Sequence, residues 1–80
     1  MENFTIELLV SNHFGVLNRI TGLYAKRGYN IESLVVHPTT EDRSVSRMSI
    51  ESLGDERVQT QMIRQLSKLY DVKQVVLVKK

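Results

Sequence analysis

The stretch Phe4-Thr5-Ile6-Glu7-Leu8-Leu9-Val10-Ser11, running directly into Asn12-His13-Phe14-Gly15-Val16-Leu17, decides how the rest of the chain is read. Phe4, Ile6, Leu8 and Val10 alternate with Thr5, Glu7, Leu9 and Ser11, the two-residue period of a half-buried strand. The period then changes. Val16, Leu17, Ile20, Leu23 and Tyr24 recur at helical spacing, and Lys26-Arg27 suit the negative end of a helix dipole. Gly28 is the expected left-handed stop. Asn12 and Gly15 therefore sit in a strand-to-helix turn, one as a polar capping candidate and one as a residue free of a Cβ.

Working outward, Tyr29 to His37 is rich in β-formers, and Pro38-Thr39-Thr40-Glu41-Asp42-Arg43 reads as a polar hairpin loop. Val45 to Leu53 is a third strand, with Met48 and Ile50 on one face and Arg47, Ser49 and Glu51 on the other. Gly54-Asp55-Glu56 opens a second helix whose apolar stripe is Val58, Met62, Ile63, Leu66 and Leu69. Val72 to Val78 is the last strand. The order β-α-β-β-α-β predicts an α+β, ferredoxin-like fold: a four-stranded antiparallel sheet with both helices on one face. In that topology strands 29–37 and 72–78 are edges, and neither carries an inward charge or a blocking proline. An apolar edge of this kind is a pairing surface, and strand 29–37 joining its own twofold copy would make a homodimer with one continuous sheet.

Size and composition point the same way. An 80-residue chain is expected to be one domain, spanning 1–80. Such a domain buries only roughly 60–65% of its unfolded surface and gains from a supplement to its core. Cysteine is absent, which removes disulfides and thiolate metal sites. His13 and His37 are lone imidazoles without a carboxylate cluster, so no metal site is expected. Association is the supplement that remains. Eleven basic and nine acidic residues, net charge +2, are mixed along the chain and give no footprint for nucleic acid or an anionic membrane. The Lys79-Lys80 pair is too short for a polybasic tail. No leader or membrane span is readable, and a cytoplasmic protein is expected.

Four blocks in order carry a family resemblance. They are Asn12-His13-Phe14-Gly15-Val16-Leu17; Arg27-Gly28-Tyr29-Asn30-Ile31-Glu32-Ser33-Leu34; Ser46-Arg47-Met48; and Gly54-Asp55-Glu56 continuing to Gln65-Leu66-Ser67-Lys68-Leu69-Tyr70-Asp71-Val72. Together they resemble the ACT domain of the small, regulatory subunit of acetohydroxyacid synthase, also called acetolactate synthase, over essentially the whole chain. The first block alone marks ACT domains broadly, and the other three point to this subunit. The resemblance implies a non-catalytic chain that binds and activates a large catalytic subunit. It also implies feedback inhibition by a branched-chain amino acid, usually valine. Thiamine diphosphate, Mg and FAD would belong to the catalytic subunit, leaving none in this chain. Longer members carry a second, C-terminal domain that these 80 residues do not include, and the expectation is either a short, single-domain type or a truncated form of a longer subunit. The implied effector site lies between two copies, with Asn12, Gly15, Val16 and Leu17 of one facing Asn30 and Ile31 of the other.

The residue chemistry suits that placement. A helix N-terminus offers unpaired N–H groups and a positive dipole end to a carboxylate. Gly15 permits close approach of a ligand, and Asn12 and Asn30 can donate or accept. Val16, Leu17 and Ile31 could line an apolar pocket. The plainer readings are that Asn12 caps the helix, Gly15 relieves a tight turn and Asn30 is an ordinary polar position. Phe14 stands where many members have proline, with three roles open to it: closing over a ligand, packing on the partner or obstructing the pocket. Arg47 and Glu51 share a sheet face open to solvent or to the catalytic subunit.

Other functions on this topology lack their residues. A phosphate-holding first turn would need more than Arg19, and no nucleophile–base pair is visible. An RNA-binding sheet needs aromatics where the third strand has Ser46, Arg47, Met48 and Ser49. The surviving alternative is a stand-alone amino-acid-sensing ACT domain that regulates another enzyme.

Overall fold

The computed structural model describes residues 2–13, 15–39 and 44–78. It contains β1 (Asn3–Ser11), α1 (Val16–Lys26), β2 (Ile31–Pro38), β3 (Val45–Leu53), α2 (Glu56–Ser67) and β4 (Val72–Val78). The sheet is antiparallel with order β2-β3-β1-β4, so β1 and β3 are central and β2 and β4 are the edges. The expected ferredoxin-like fold is the observed one.

The alternation in β1 becomes a buried face because β3 matches it in register. Phe4 lies opposite Ser52, Ile6 opposite Ile50, Leu8 opposite Met48 and Val10 opposite Ser46. All eight are buried. Onto this face pack Val16, Ile20 and Tyr24 from α1 and Met62 and Leu66 from α2, in one core cluster. Both helices therefore cover the same side of the sheet. Each side chain so buried contributes about 1.5–3 kcal/mol relative to exposure, and their i, i+4 spacing keeps them on one stripe. Leu17, expected on that stripe, sits on its flank and is 42% exposed.

Three local features sharpen the expected boundaries. Gly28 ends α1 with φ 74, its N–H donating to the Ala25 carbonyl at 3.0 Å. The Tyr29 N–H donates back to the Tyr24 carbonyl at 2.9 Å. That bond spends the Tyr29 amide on closing the helix, so β2 begins at Ile31 and not at Tyr29 as the β-rich composition suggested. Pro38, placed in the loop by its type, is the last residue of β2 opposite Ser46. An edge strand tolerates a residue with no N–H to donate. The hairpin closes with Thr39 N–H on the Val45 carbonyl at 3.0 Å, while Thr40–Arg43 lie outside the described residues, as do Phe14 and Lys79-Lys80.

The second helix starts as expected. Asp55 is its N-cap and accepts from the Val58 N–H at 3.0 Å, with Glu56 in the first turn. It ends at Ser67, so Leu69 packs on the core from the following turn. Gln59 is buried on the helix's inner stripe, which polarity alone would not predict; its Nε2 donates to the Gly54 carbonyl at 3.1 Å.

Candidate functional site

The turn between β1 and α1 is held from both sides. The Ser11 N–H donates to the Asp71 carbonyl at 2.7 Å, just before β4, and the Asn12 N–H donates to the Ser44 carbonyl at 2.6 Å, just before β3. Gly15 is the N-cap of α1 with φ 90, a left-handed conformation that a side chain would strain. Among the described residues, chain neighbours aside, a Cβ there would meet nothing within 4 Å. Glycine is thus favoured by the backbone's conformation and not by a steric contact with those residues. Because Gly15 holds the capping position, Asn12 is not the N-cap; it is exposed three residues earlier.

Gly15 has no side chain with which to accept from the first-turn N–H groups, and that turn contains no acidic residue. The helical ladder starts with Arg19 N–H on the Gly15 carbonyl at 3.0 Å. The amides of Leu17 and Asn18 precede that bond, at the positive end of the α1 dipole. By contrast, α2 supplies its own carboxylate through Asp55. Leu17 is exposed beside the turn, whereas the Val16 side chain is 4% exposed and belongs to the core. Val16 can serve a ligand only through its backbone, and its N–H is directed at the His13 carbonyl at 3.3 Å.

Asn30 is exposed and Ile31 half-buried, at the start of β2. The structure does not bring them to the turn within one chain. Ile31 lies opposite Ser52, near the end of β3, while Ser11 lies opposite Val45 at its beginning. Seven residues of strand separate those positions, about 23 Å at the usual rise. Asn30 instead lines a cleft with Gly28, Tyr29, Leu53, Gly54, Asp55 and Val58. A second depression lies on the outer sheet face, between Glu7, Leu9, Arg47, Gln74 and Val76. None of the described turn residues lines either one. Arg47 and Glu51 do share that outer face, with His37 opposite Arg47.

Asp71 is the site-adjacent residue that sequence reasoning missed. It is 7% exposed, and its carboxylate pairs with the Arg19 guanidinium across 52 positions of sequence. An acidic residue ahead of an apolar strand is the faint signal it offers. Among the described residues no three histidine, cysteine, aspartate or glutamate side chains could together hold a metal ion. No described helix is long and apolar enough to cross a membrane.

With this geometry in view, residues 6–74 match a family model described as the AHAS small subunit-like ACT domain. The chain belongs to that family. It is 50% identical over 70 residues to the acetolactate synthase isozyme 3 small subunit of Escherichia coli K12, covering 88% of this chain and 42% of the relative. To the acetolactate synthase small subunit of Buchnera aphidicola subsp. Baizongia pistaciae it is 45% identical over 75 residues, covering 94% and 46%. The crystal structure of an acetolactate synthase small subunit from Thermotoga maritima superposes with a TM-score of 0.88 at 32% identity, covering 96% of this chain and 47% of that one. The ACT domain described here thus spans somewhat less than half the length of the small subunits it matches.

Proposed function

We propose that this chain is a non-catalytic regulatory ACT module of acetolactate synthase that pairs through β2 and binds a branched-chain amino acid, valine first among candidates, between two copies. The carrying observation is the opposite placement of the two half-sites. Antiparallel pairing of β2 with its own twofold copy sets the Ile31 end of one strand beside the Pro38 end of the other. The Pro38 end lies opposite Ser46, which lies opposite Val10, so it is the end at which the Asn12–Leu17 turn stands. Twofold pairing would therefore carry Asn30 and Ile31 to the end of the sheet at which the partner's turn stands. Exposed valines on both faces of β2, Val35 at 43% and Val36 at 39%, favour that edge. Val36 lies opposite buried Met48, so at this position the helix layer leaves the edge exposed on its inner side as well.

In this reading the ligand carboxylate takes the first-turn amides of α1, Asn12 and Asn30 hold the ammonium and orient the ligand, and Leu17 with the partner's Ile31 meets the branched side chain. The small-subunit relatives support partnership with a catalytic subunit, which would hold the thiamine diphosphate. Calorimetry of the chain with valine, leucine and isoleucine tests the effector. Heat of binding, and a rise in melting temperature by mass action, is expected. Absence of both at millimolar ligand overturns the effector site without touching the fold. In Asn12→Ala, unchanged binding would reduce Asn12 to a turn former.

A further inference from the structure

We propose that Arg19 and Asp71 form a brace that positions the Asn12–Leu17 turn and neutralises it for the carboxylate end of an amino-acid ligand, with Arg19 as the positioning residue. The inference rests on the effector reading above and adds to it a pair outside the expected contact set.

Asp71 reaches both ends of the turn. Its carbonyl accepts from Ser11 N–H at 2.7 Å, at the end of β1. Its carboxylate holds the Arg19 guanidinium, and the Arg19 amide donates to the Gly15 carbonyl at 3.0 Å, at the start of α1. A single residue thus ties the entry of the turn by its main chain and the exit through Arg19. The next residue, Val72, begins the edge strand β4. The register of β4 against β1 shifts between Leu9 and Val10, at this same end.

Charge gives the second half of the case. The Asp71 side chain is 10% exposed, so its field is poorly screened. It lies beside the turn that must receive a ligand carboxylate, where like charges repel. Arg19 cancels that field. Its own side chain is 56% exposed, and an ion pair open to water on one side adds little to folding. The pair therefore matters more to what the turn can bind than to whether the chain folds.

The experiment is valine calorimetry at low and at physiological salt on the whole chain, its Arg19→Gln and Arg19→Lys variants, and the double variant Arg19→Gln with Asp71→Asn. The expected loss in Arg19→Gln is roughly 5- to 20-fold in affinity, the lower part of the range of a typical site coupling. That loss should shrink with added salt. Arg19→Lys keeps the charge and should stay within about threefold of the parent. The double variant, with no buried anion left to repel the ligand, should recover most of the affinity. Parent-like binding in Arg19→Gln, or no recovery in the double variant, overturns the proposal. Should the parent bind no amino acid, the effector reading fails separately. The brace is then judged by amide exchange: Ser11 N–H should exchange faster in Arg19→Gln, and unchanged exchange sinks it.

Discussion

Gly54 lies against Val58 so closely that a Cβ at position 54 would stand 2.6 Å from Val58 Cγ1 and 3.3 Å from Phe4 Cε1. The glycine lets the chain leave β3 and enter α2 over the inner end of β1. Its carbonyl also satisfies the buried Gln59 amide. Gly54→Ala forces Val58 or the first turn of α2 to shift, at a cost of about 1–3 kcal/mol. Urea unfolding should show a lower midpoint with the slope unchanged.

Tyr24 and Ser52 bury two hydroxyl groups that have no hydrogen-bond partner of ordinary geometry among the described residues. Burial pushes the Tyr24 phenol above its ordinary value of 10.0, while the nearby Ser52 hydroxyl pulls the other way. The folded chain thus holds the phenolic proton more tightly than the unfolded chain does. Its contribution is complete below pH 10 and is lost as pH rises through the interval above it. Tyr24→Phe should be neutral or stabilising by up to about 1 kcal/mol at pH 7. It should also lose less stability than the parent between pH 8 and pH 11, measured as urea midpoints; equal alkaline loss would point to other groups.

Two edges, β2 and β4, are available to the proposed self-pairing. A charge directed inward from an edge strand blocks strand addition while its stem can still reach water. Val36→Lys is expected to weaken the dimer roughly tenfold or more, about 1.4 kcal/mol, with little change in the secondary-structure signal. Val76→Lys on β4, an exposed valine at 43% that faces the outer side of the sheet, should leave the proposed dimer intact. Sedimentation of both variants checks the assignment, and the reverse pattern would move the pairing edge to β4.

Gly15→Ala meets no clash among the described residues but places a side chain at φ 90, which costs about 1–2 kcal/mol. If the turn relaxes to avoid that strain, the α1 amides change direction and valine affinity falls with stability. Melting temperature and calorimetry on the same sample read the two effects. Full affinity in a destabilised variant would show that the left-handed turn serves folding only.

Most of the architecture was legible because it is written in local periods. Phe4, Ile6, Leu8 and Val10 announce a strand within one segment, and Gly28 and Asp55 mark helix ends with their own chemistry. Boundaries moved where a backbone amide had two possible partners, as at Tyr29, or where edge position excused a proline, as at Pro38. Of the candidate site, the residue types were legible and their roles were not. Val16 reads as apolar and available, and the fold spends its side chain on the core. Leu17, its neighbour, reads the same and stays exposed because a helix turns about 100° per residue.

The sequence by itself determined the order of elements, the apolar faces and the family to which the chain belongs, since each follows from short-range pattern or from motifs in order. Tertiary structure alone decided three things. It set the Asn12–Leu17 turn and the Asn30–Ile31 segment at opposite ends of the sheet, because register accumulates along a whole strand. It left β2 exposed on both faces at Val35 and Val36 while Ile31 and Leu34 pack against the core, because β2 is an edge strand with a neighbour on one side only. And it brought Asp71 to Ser11 and Arg19, because β4 returns beside β1 and sets its first residues against the end of that strand.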